Sequence, residues 1–255
     1  MPDIDNLILV FVVGLIASIA DYGLGVGYGL IAAPILFALA GIDPRVVITS
    51  TLIAQLASSI PALMVNSKIG RIKPRLDFSM VLALSAAVGV FAGAVVMSLL
   101  PPRAALVVYI ICLSIVGLAA LTLKKSNRDS GGLSNGSLRL GALGLAGLAA
   151  GVAKSLSGGG FSPIIVVSQR ALGAGFRESV ASLPLVKPLA FAVGAIAYGS
   201  WGFLDPWLSA ALTAGTLAGL PLAPLAASRI PEWLATILVA SALAVGVAKG
   251  VLSIT

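Results

Sequence analysis

The sequence contains no histidine and only one cysteine, Cys112, and these two shortages exclude much chemistry. Without histidine there is no imidazole to act as an acid, a base or a metal ligand. One thiol cannot form an intramolecular disulfide or a cysteine metal site. Because the sequence also offers no pair of carboxylates placed for catalysis, we expect that the protein is not an enzyme and needs no cofactor and no metal.

Charged residues are scarce as well, at 10% of the chain, whereas hydrophobic residues make up 59% of its 255 residues and the mean hydropathy is +1.10. This composition is too apolar for a water-soluble domain. Hydrophobic runs long enough to cross a bilayer alternate with short polar pieces, which is typical of a multi-pass helical membrane protein. The net charge of +7 lies in short loops without interleaved aromatic residues, so it indicates membrane topology and no nucleic-acid partner.

The order of apolar segments occurs twice along the chain. Each half has a pair of short pieces separated by a glycine-rich break, and three full spans follow. The segments of the first half are 7–20, 30–40, 46–65, 78–100 and 104–123, and those of the second are 140–153, 164–172, 180–198, 207–226 and 234–251. We therefore predict an all-α integral membrane protein with two repeats, residues 1–123 and 139–255, joined by a polar linker at 124–138.

The basic loops predict the topology of these repeats. Lysine and arginine cluster at residues 68–75 and 124–139, two spans apart, which places both loops on the cytoplasmic side of the membrane. The N- and C-termini are then outside. Each half makes an odd number of crossings, whether its short pair is re-entrant or fully crossing, so the second repeat is inverted. Inverted repeats with broken helices are a transporter plan, with the binding site near the membrane midplane between the breaks.

The clearest break lies at residues 150–163, which read AGVAKSLSGGGFSP. Ser162 and Pro163 have the character of an N-cap and a first helical residue. A helix that begins inside the membrane presents unpaired N–H groups and a positive end, which favour an anion. The alternative is that small residues permit tight helix packing. The candidate anion-binding residues at the two breaks are Gly158, Gly159, Gly160, Phe161, Ser162, Gly25 and Gly27.

Two lysines, Lys154 and Lys187, are the only basic residues placed well inside membrane segments. A buried ammonium is costly, so each is a candidate for binding the substrate anion. For Lys154 the alternative is a favourable charge at a helix C-terminus. For Lys187 it is a structural ion pair or a side chain that reaches the interface. Gln55 takes the position of Lys187 when the halves are aligned, and we include it among the binding residues.

Asp21 ends the first apolar segment, where a carboxylate has an unfavourable interaction with the helix dipole. It therefore needs a partner or a proton. The alignment of the halves places Asp21 opposite Lys154, and we expect these two side chains to pair. An anion or a proton that opens the pair would couple transport to protons, whereas a permanent pair would only hold the halves together. A further alternative is that Asp21 lies near the water interface.

The motifs GLGVGYGLIAAP, SLSGGGFSP and GIDPRVVITSTLIA, repeated across a small polar linker, resemble the TauE/SafE sulfite exporter family. The resemblance covers essentially the whole chain. It implies a secondary transporter that exports sulfite or organosulfonates across the bacterial inner membrane by alternating access. The alternatives are an anion channel and a membrane scaffold subunit of a larger complex. Expected partners are the sulfur-containing anion and the lipid bilayer, and a homodimer stays open.

Overall fold

In a computed structural model, the structure describes residues 4–68, 76–123, 136–229 and 232–254, and its elements there are helices. The predicted all-α class is confirmed. The basic loop 69–75 and linker residues 124–135 lie outside the described residues. The helices are α1 Ile4–Leu24, α2 Tyr28–Ala40, α3 Pro44–Lys68, α4 Leu76–Leu99, α5 Pro102–Leu123, α6 Gly136–Ser157, α7 Phe161–Ala171, α8 Phe176–Ser200, α9 Pro206–Gly219, α10 Ala223–Arg229 and α11 Glu232–Ile254, with a 3₁₀ turn at Leu220–Leu222 between α9 and α10.

Within the described residues, eight stretches are long and apolar enough to cross a membrane. One of them, Pro206–Leu225, runs through α9, the 3₁₀ turn and the start of α10. Large apolar side chains cover much of the outer surface, for example Leu145 and Ile196, while many serine, threonine and lysine side chains are buried. Apolar residues outside and polar residues inside suit a lipid environment, and the protein is a multi-pass membrane protein.

The first helix of each half is longer than the sequence pattern predicts. α1 has 21 residues and α6 has 22, whereas α2 and α7 have 13 and 11. Asp21 and Lys154 lie in the last turns and do not end their helices. The chain leaves the helix at Gly25 and Gly158, whose φ angles are +63° and +72°. Glycine adopts this left-handed region without a steric penalty, so the glycine ends the helix and the preceding charge does not.

The start of α7 also differs from the prediction. The N-cap is Gly160, with φ of 79°, and Phe161 is the first helical residue, so Ser162 is not the cap. Pro163 is the third residue of the helix. Proline is tolerated there because the first turn of a helix has no intrahelical acceptor for its N–H groups.

Helices of one half pack against those of the other in a reciprocal manner. α1 packs along α9 and α10, while α4 packs along α6, and α3 packs against α8. The first helix of each half thus meets the fourth segment of the other half, and the third helices meet each other. A pseudo-two-fold axis would produce this exchange, and the inverted repeat stays a prediction that the packing favours.

Candidate functional site

The two glycine breaks cross each other inside the protein. Gly29, at the start of α2, lies so close to the second break that a Cβ atom there would be 1.5 Å from the Gly158 carbonyl oxygen. A Cβ on Gly27 would be 3.0 Å from Pro163 Cδ. The N-terminal ends of α2 and α7 are therefore brought together, and only residues without a side chain permit this approach.

A small pocket lies where the breaks cross. Its interior is too narrow to admit a water molecule in this conformation. All the predicted binding residues except Lys187 and Gly25 line it. The lining consists of Gly27, Tyr28, Gly29, Gln55, Lys154, Gly158, Gly159, Gly160, Phe161 and Ser162. Gly25 instead lies beside α8, where an added Cβ would be 2.8 Å from Val180 Cγ2.

The short helices α2 and α7 both begin at this pocket, so their first backbone N–H groups lie there. The N-caps Gly27 and Gly160 have no side chain that could accept hydrogen bonds from them. The first N–H groups of a helix have no acceptor within it, and the positive end of the helix dipole lies at the same place. Two such ends therefore converge here, which is an electrostatic environment for a negative charge.

Lys154 places its side-chain amine at the pocket. The side chain is 1% exposed, and its Nζ donates hydrogen bonds to Thr51 Oγ1 at 3.0 Å and to the Gly158 carbonyl oxygen at 2.9 Å. The Phe191 ring centroid is 5.3 Å from the same Nζ. Among the described residues no carboxylate forms an ion pair with it. The bond to Gly158, just past the end of α6, supports the helix-terminus alternative, but a dipole offsets only part of a buried charge.

Lys187 has a different environment. It is completely buried on α8, and its Nζ donates to Asp21 Oδ2 on α1, which is equally buried. The same Nζ lies 4.3 Å from the centroid of the Tyr22 ring, and the Tyr22 hydroxyl is 3.1 Å from Ser58 Oγ. The other carboxylate oxygen, Asp21 Oδ1, has no hydrogen-bond partner within the described part of the chain. The pair links the two halves, which agrees with the ion-pair alternative for Lys187.

The predicted pair between Asp21 and Lys154 is wrong, because each side chain has another partner. The pair was inferred from an alignment of the two halves, and an alignment gives counterparts, which need not touch. Two residues related by a two-fold axis, for example, touch each other only when they lie on the axis. In the structure Asp21 meets Lys187 on α8, whereas Lys154 meets Thr51 on α3 and lines the pocket together with Gln55.

Three residues at the site were missed by sequence reasoning. Tyr28 and Gly29 line the pocket, and the Tyr28 hydroxyl is 2.7 Å from Thr216 Oγ1 on α9. The alignment of the halves places Tyr28 opposite Phe161, a predicted binding residue, so the sequence did contain a signal for Tyr28. Thr216 lies 188 residues away from Tyr28, and no local pattern marked it.

Comparison with known proteins agrees with this architecture. The family model for the sulfite exporter TauE/SafE matches residues 10–249, nearly the whole chain. No match was found among curated proteins or among solved structures. The matched range contains both glycine breaks, both buried lysines and Asp21. The chain therefore belongs to the sulfite exporter TauE/SafE family of membrane transporters.

Proposed function

We propose that the protein is a secondary transporter that exports small sulfur-containing anions, such as sulfite or organosulfonates, across the bacterial inner membrane by alternating access. The observation that carries this proposal is Lys154, a buried amine that lines the pocket without a carboxylate partner among the described residues. The family supplies the substrate class, and the pocket supplies the reason why an anion would bind.

An uncompensated charge in the membrane interior is costly, and proteins keep such a charge mainly where it has a function. An anion bound at Lys154 would remove that cost by forming a charge-assisted hydrogen bond. The N–H groups that start α2 and α7 would bind its remaining oxygens. In this proposal Gln55 and Ser162 complete the polar lining, while the glycines let the backbone approach the anion.

The position of the pocket favours a transporter over a channel. A channel needs a continuous polar path, whereas alternating access uses a site between two bodies that move against each other. The site lies between the halves, since α2 and α3 contribute one wall and α6 and α7 contribute the other. Movement of one half against the other would open it to either side. A scaffold subunit would have no need for a buried, unpaired cation.

Asp21 stays a candidate for coupling transport to protons, with Lys187 as the partner it would release. The titratable groups around it are Lys187 on α8, Tyr22 on α1, Tyr28 on α2 and Lys154 on α6. If coupling requires this carboxylate, Asp21→Asn makes transport insensitive to a pH gradient. The homodimer and the outside position of both termini also stay predictions.

The test is sulfite release from proteoliposomes that contain the purified protein. We expect saturable release that is lost in Lys154→Gln and kept in Lys249→Gln, which removes an exposed lysine of α11. If Lys154→Gln releases sulfite as the wild-type protein does, the proposal that Lys154 belongs to the binding site is wrong. Release that does not saturate and is equally fast for chloride would instead indicate a channel.

A further inference from the structure

The charges buried in the described part of the protein can be assigned to partners. Four charged residues there are buried: Asp21, Arg45, Lys154 and Lys187. Arg45, at the start of α3, forms an ion pair with Asp43 at 2.6 Å, and Lys187 forms one with Asp21. Lys154 is left over. With Lys154 protonated, the buried charged side chains of the described residues and their ion-pair partners therefore sum to one positive unit.

This net charge bears on which anion the pocket can hold. In a medium of low dielectric constant, an excess charge of either sign is costly, so the loaded site is most stable when its total charge is near zero. One negative charge neutralises Lys154. A doubly charged anion would leave one negative charge buried between the halves, and the orphaned Asp21 Oδ1 would add a further unfavourable interaction.

We infer that the site is selective for singly charged anions, and that the Asp21–Lys187 pair sets this selectivity by cancelling the second buried lysine. The inference rests on the proposed function and refines its substrate class: sulfite, which is doubly charged when fully deprotonated, would bind in its singly charged form, hydrogensulfite. The pair lies outside the pocket lining and acts through its charge, without touching the anion. Removal of the Asp21 charge would leave two positive units in the core and so favour a doubly charged anion.

Methanesulfonate and sulfate are suitable probes, because they are tetrahedral, similar in size and different by one charge. Affinity for each is measured from the thermal stabilisation of detergent-purified protein, since a ligand that binds the folded state raises its melting temperature. The wild-type protein should bind methanesulfonate more tightly than sulfate. Asp21→Asn should shift the ratio of the two affinities toward sulfate by about tenfold or more, the size expected for one unit charge acting through protein.

Two further variants keep the test decisive if Asp21→Asn does not fold. Gln55→Lys adds a positive charge to the pocket lining and leaves the pair intact, so it should shift the ratio toward sulfate as well. The double variant Asp21→Asn with Lys187→Met removes both charges of the pair, and its ratio should equal that of the wild type. The double variant also controls for the loss of the Asp21 carboxylate itself.

The outcomes separate this inference from the proposed function. Wild-type protein that binds neither anion, nor sulfite, overturns the proposed function. Wild-type protein that binds sulfate more tightly than methanesulfonate overturns only the charge selectivity. The charge selectivity is also overturned if Gln55→Lys, or Asp21→Asn, leaves the ratio of the affinities for methanesulfonate and sulfate unchanged.

Discussion

Lys154 and Lys187 are both buried lysines of helices long enough to span a membrane, yet their surroundings differ. Lys187 has a carboxylate partner from the other half, whereas Lys154 has a hydroxyl, a carbonyl oxygen and an aromatic ring. Only Lys154 lines the pocket. The comparison teaches that burial alone does not describe the state of a buried lysine. The chain itself supplies the opposite charge for Lys187, whereas among the described residues it supplies only polar and aromatic partners for Lys154.

The same comparison separates two kinds of energetic cost. A carboxylate and an ammonium that are buried together depend on each other, so loss of one leaves the other stranded. A buried cation with polar partners but without a counter-ion is already close to that stranded state. Removal of the Lys154 charge should therefore change the free energy of unfolding little and lower the affinity for the ligand strongly. Each of the following variants tests one side of this contrast.

The largest effect is expected for Lys187→Met, which keeps the apolar bulk and removes the charge. It strands Asp21, so we expect the free energy of unfolding to fall by about 3–5 kcal/mol. The measurement is unfolding in detergent. The double variant Asp21→Asn with Lys187→Met should recover most of this loss. A double variant as unstable as Lys187→Met would show that the pair contributes through its shape and not its charge.

Gly29→Ala tests the contact between the two breaks. The added Cβ would meet the Gly158 carbonyl oxygen at 1.5 Å, so the breaks must separate, at a cost of about 1–3 kcal/mol typical of overpacking. We expect a lower melting temperature together with loss of sulfite binding. Gly144→Ala is the matched control, since an added Cβ in that part of α6 meets nothing within 4 Å. Equal behaviour of the two variants would contradict the crossing of the breaks.

A smaller effect is expected for Thr51→Val, which keeps the shape of the side chain but removes the hydroxyl that accepts from Lys154. A lost hydrogen bond of this kind costs about 0.5–1.5 kcal/mol, so sulfite affinity should fall roughly twofold to tenfold. Thr51→Ser retains the hydroxyl and should bind normally. If Thr51→Val binds sulfite as well as Thr51→Ser does, Thr51 does not position Lys154.

The smallest change in stability is expected for Lys154→Gln in the absence of anion. It removes a charge that has no counter-ion among the described residues, so the free energy of unfolding should change by less than about 1 kcal/mol or rise. The check is unfolding of the ligand-free protein beside Lys187→Met. A loss as large as that of Lys187→Met would mean that Lys154 is part of the structural framework.

Much of the fold could be predicted from the sequence. Hydrophobic runs of spanning length leave helix as the only practical backbone in lipid, so most helices were placed within a few residues. The ends of α1 and α6 were misplaced because Asp21 and Lys154 were given the role of helix terminators. A charged side chain changes the energy of a helix end only modestly, whereas the left-handed backbone at Gly25 and Gly158 ends the helix.

Many residues of the site could be predicted from the sequence, but the contacts between their side chains could not. The glycine-rich break, Lys154 and Gln55 were identifiable because their residue types are unusual inside a membrane segment. Partners such as Thr216 for Tyr28, or Lys187 for Asp21, depend on how distant helices pack. An alignment of two halves gives the symmetry counterpart of a residue and does not give its neighbour, which is why Asp21 was assigned to Lys154.

The most direct test of the account compares sulfite-induced thermal stabilisation in two variants that each remove buried lysine charge. Lys154→Gln removes the unpaired charge, and the double variant Asp21→Asn with Lys187→Met removes the paired one. The account predicts that stabilisation by sulfite disappears in Lys154→Gln and persists in the double variant. Stabilisation that persists in Lys154→Gln and disappears in the double variant would contradict it, and would place the anion at Lys187.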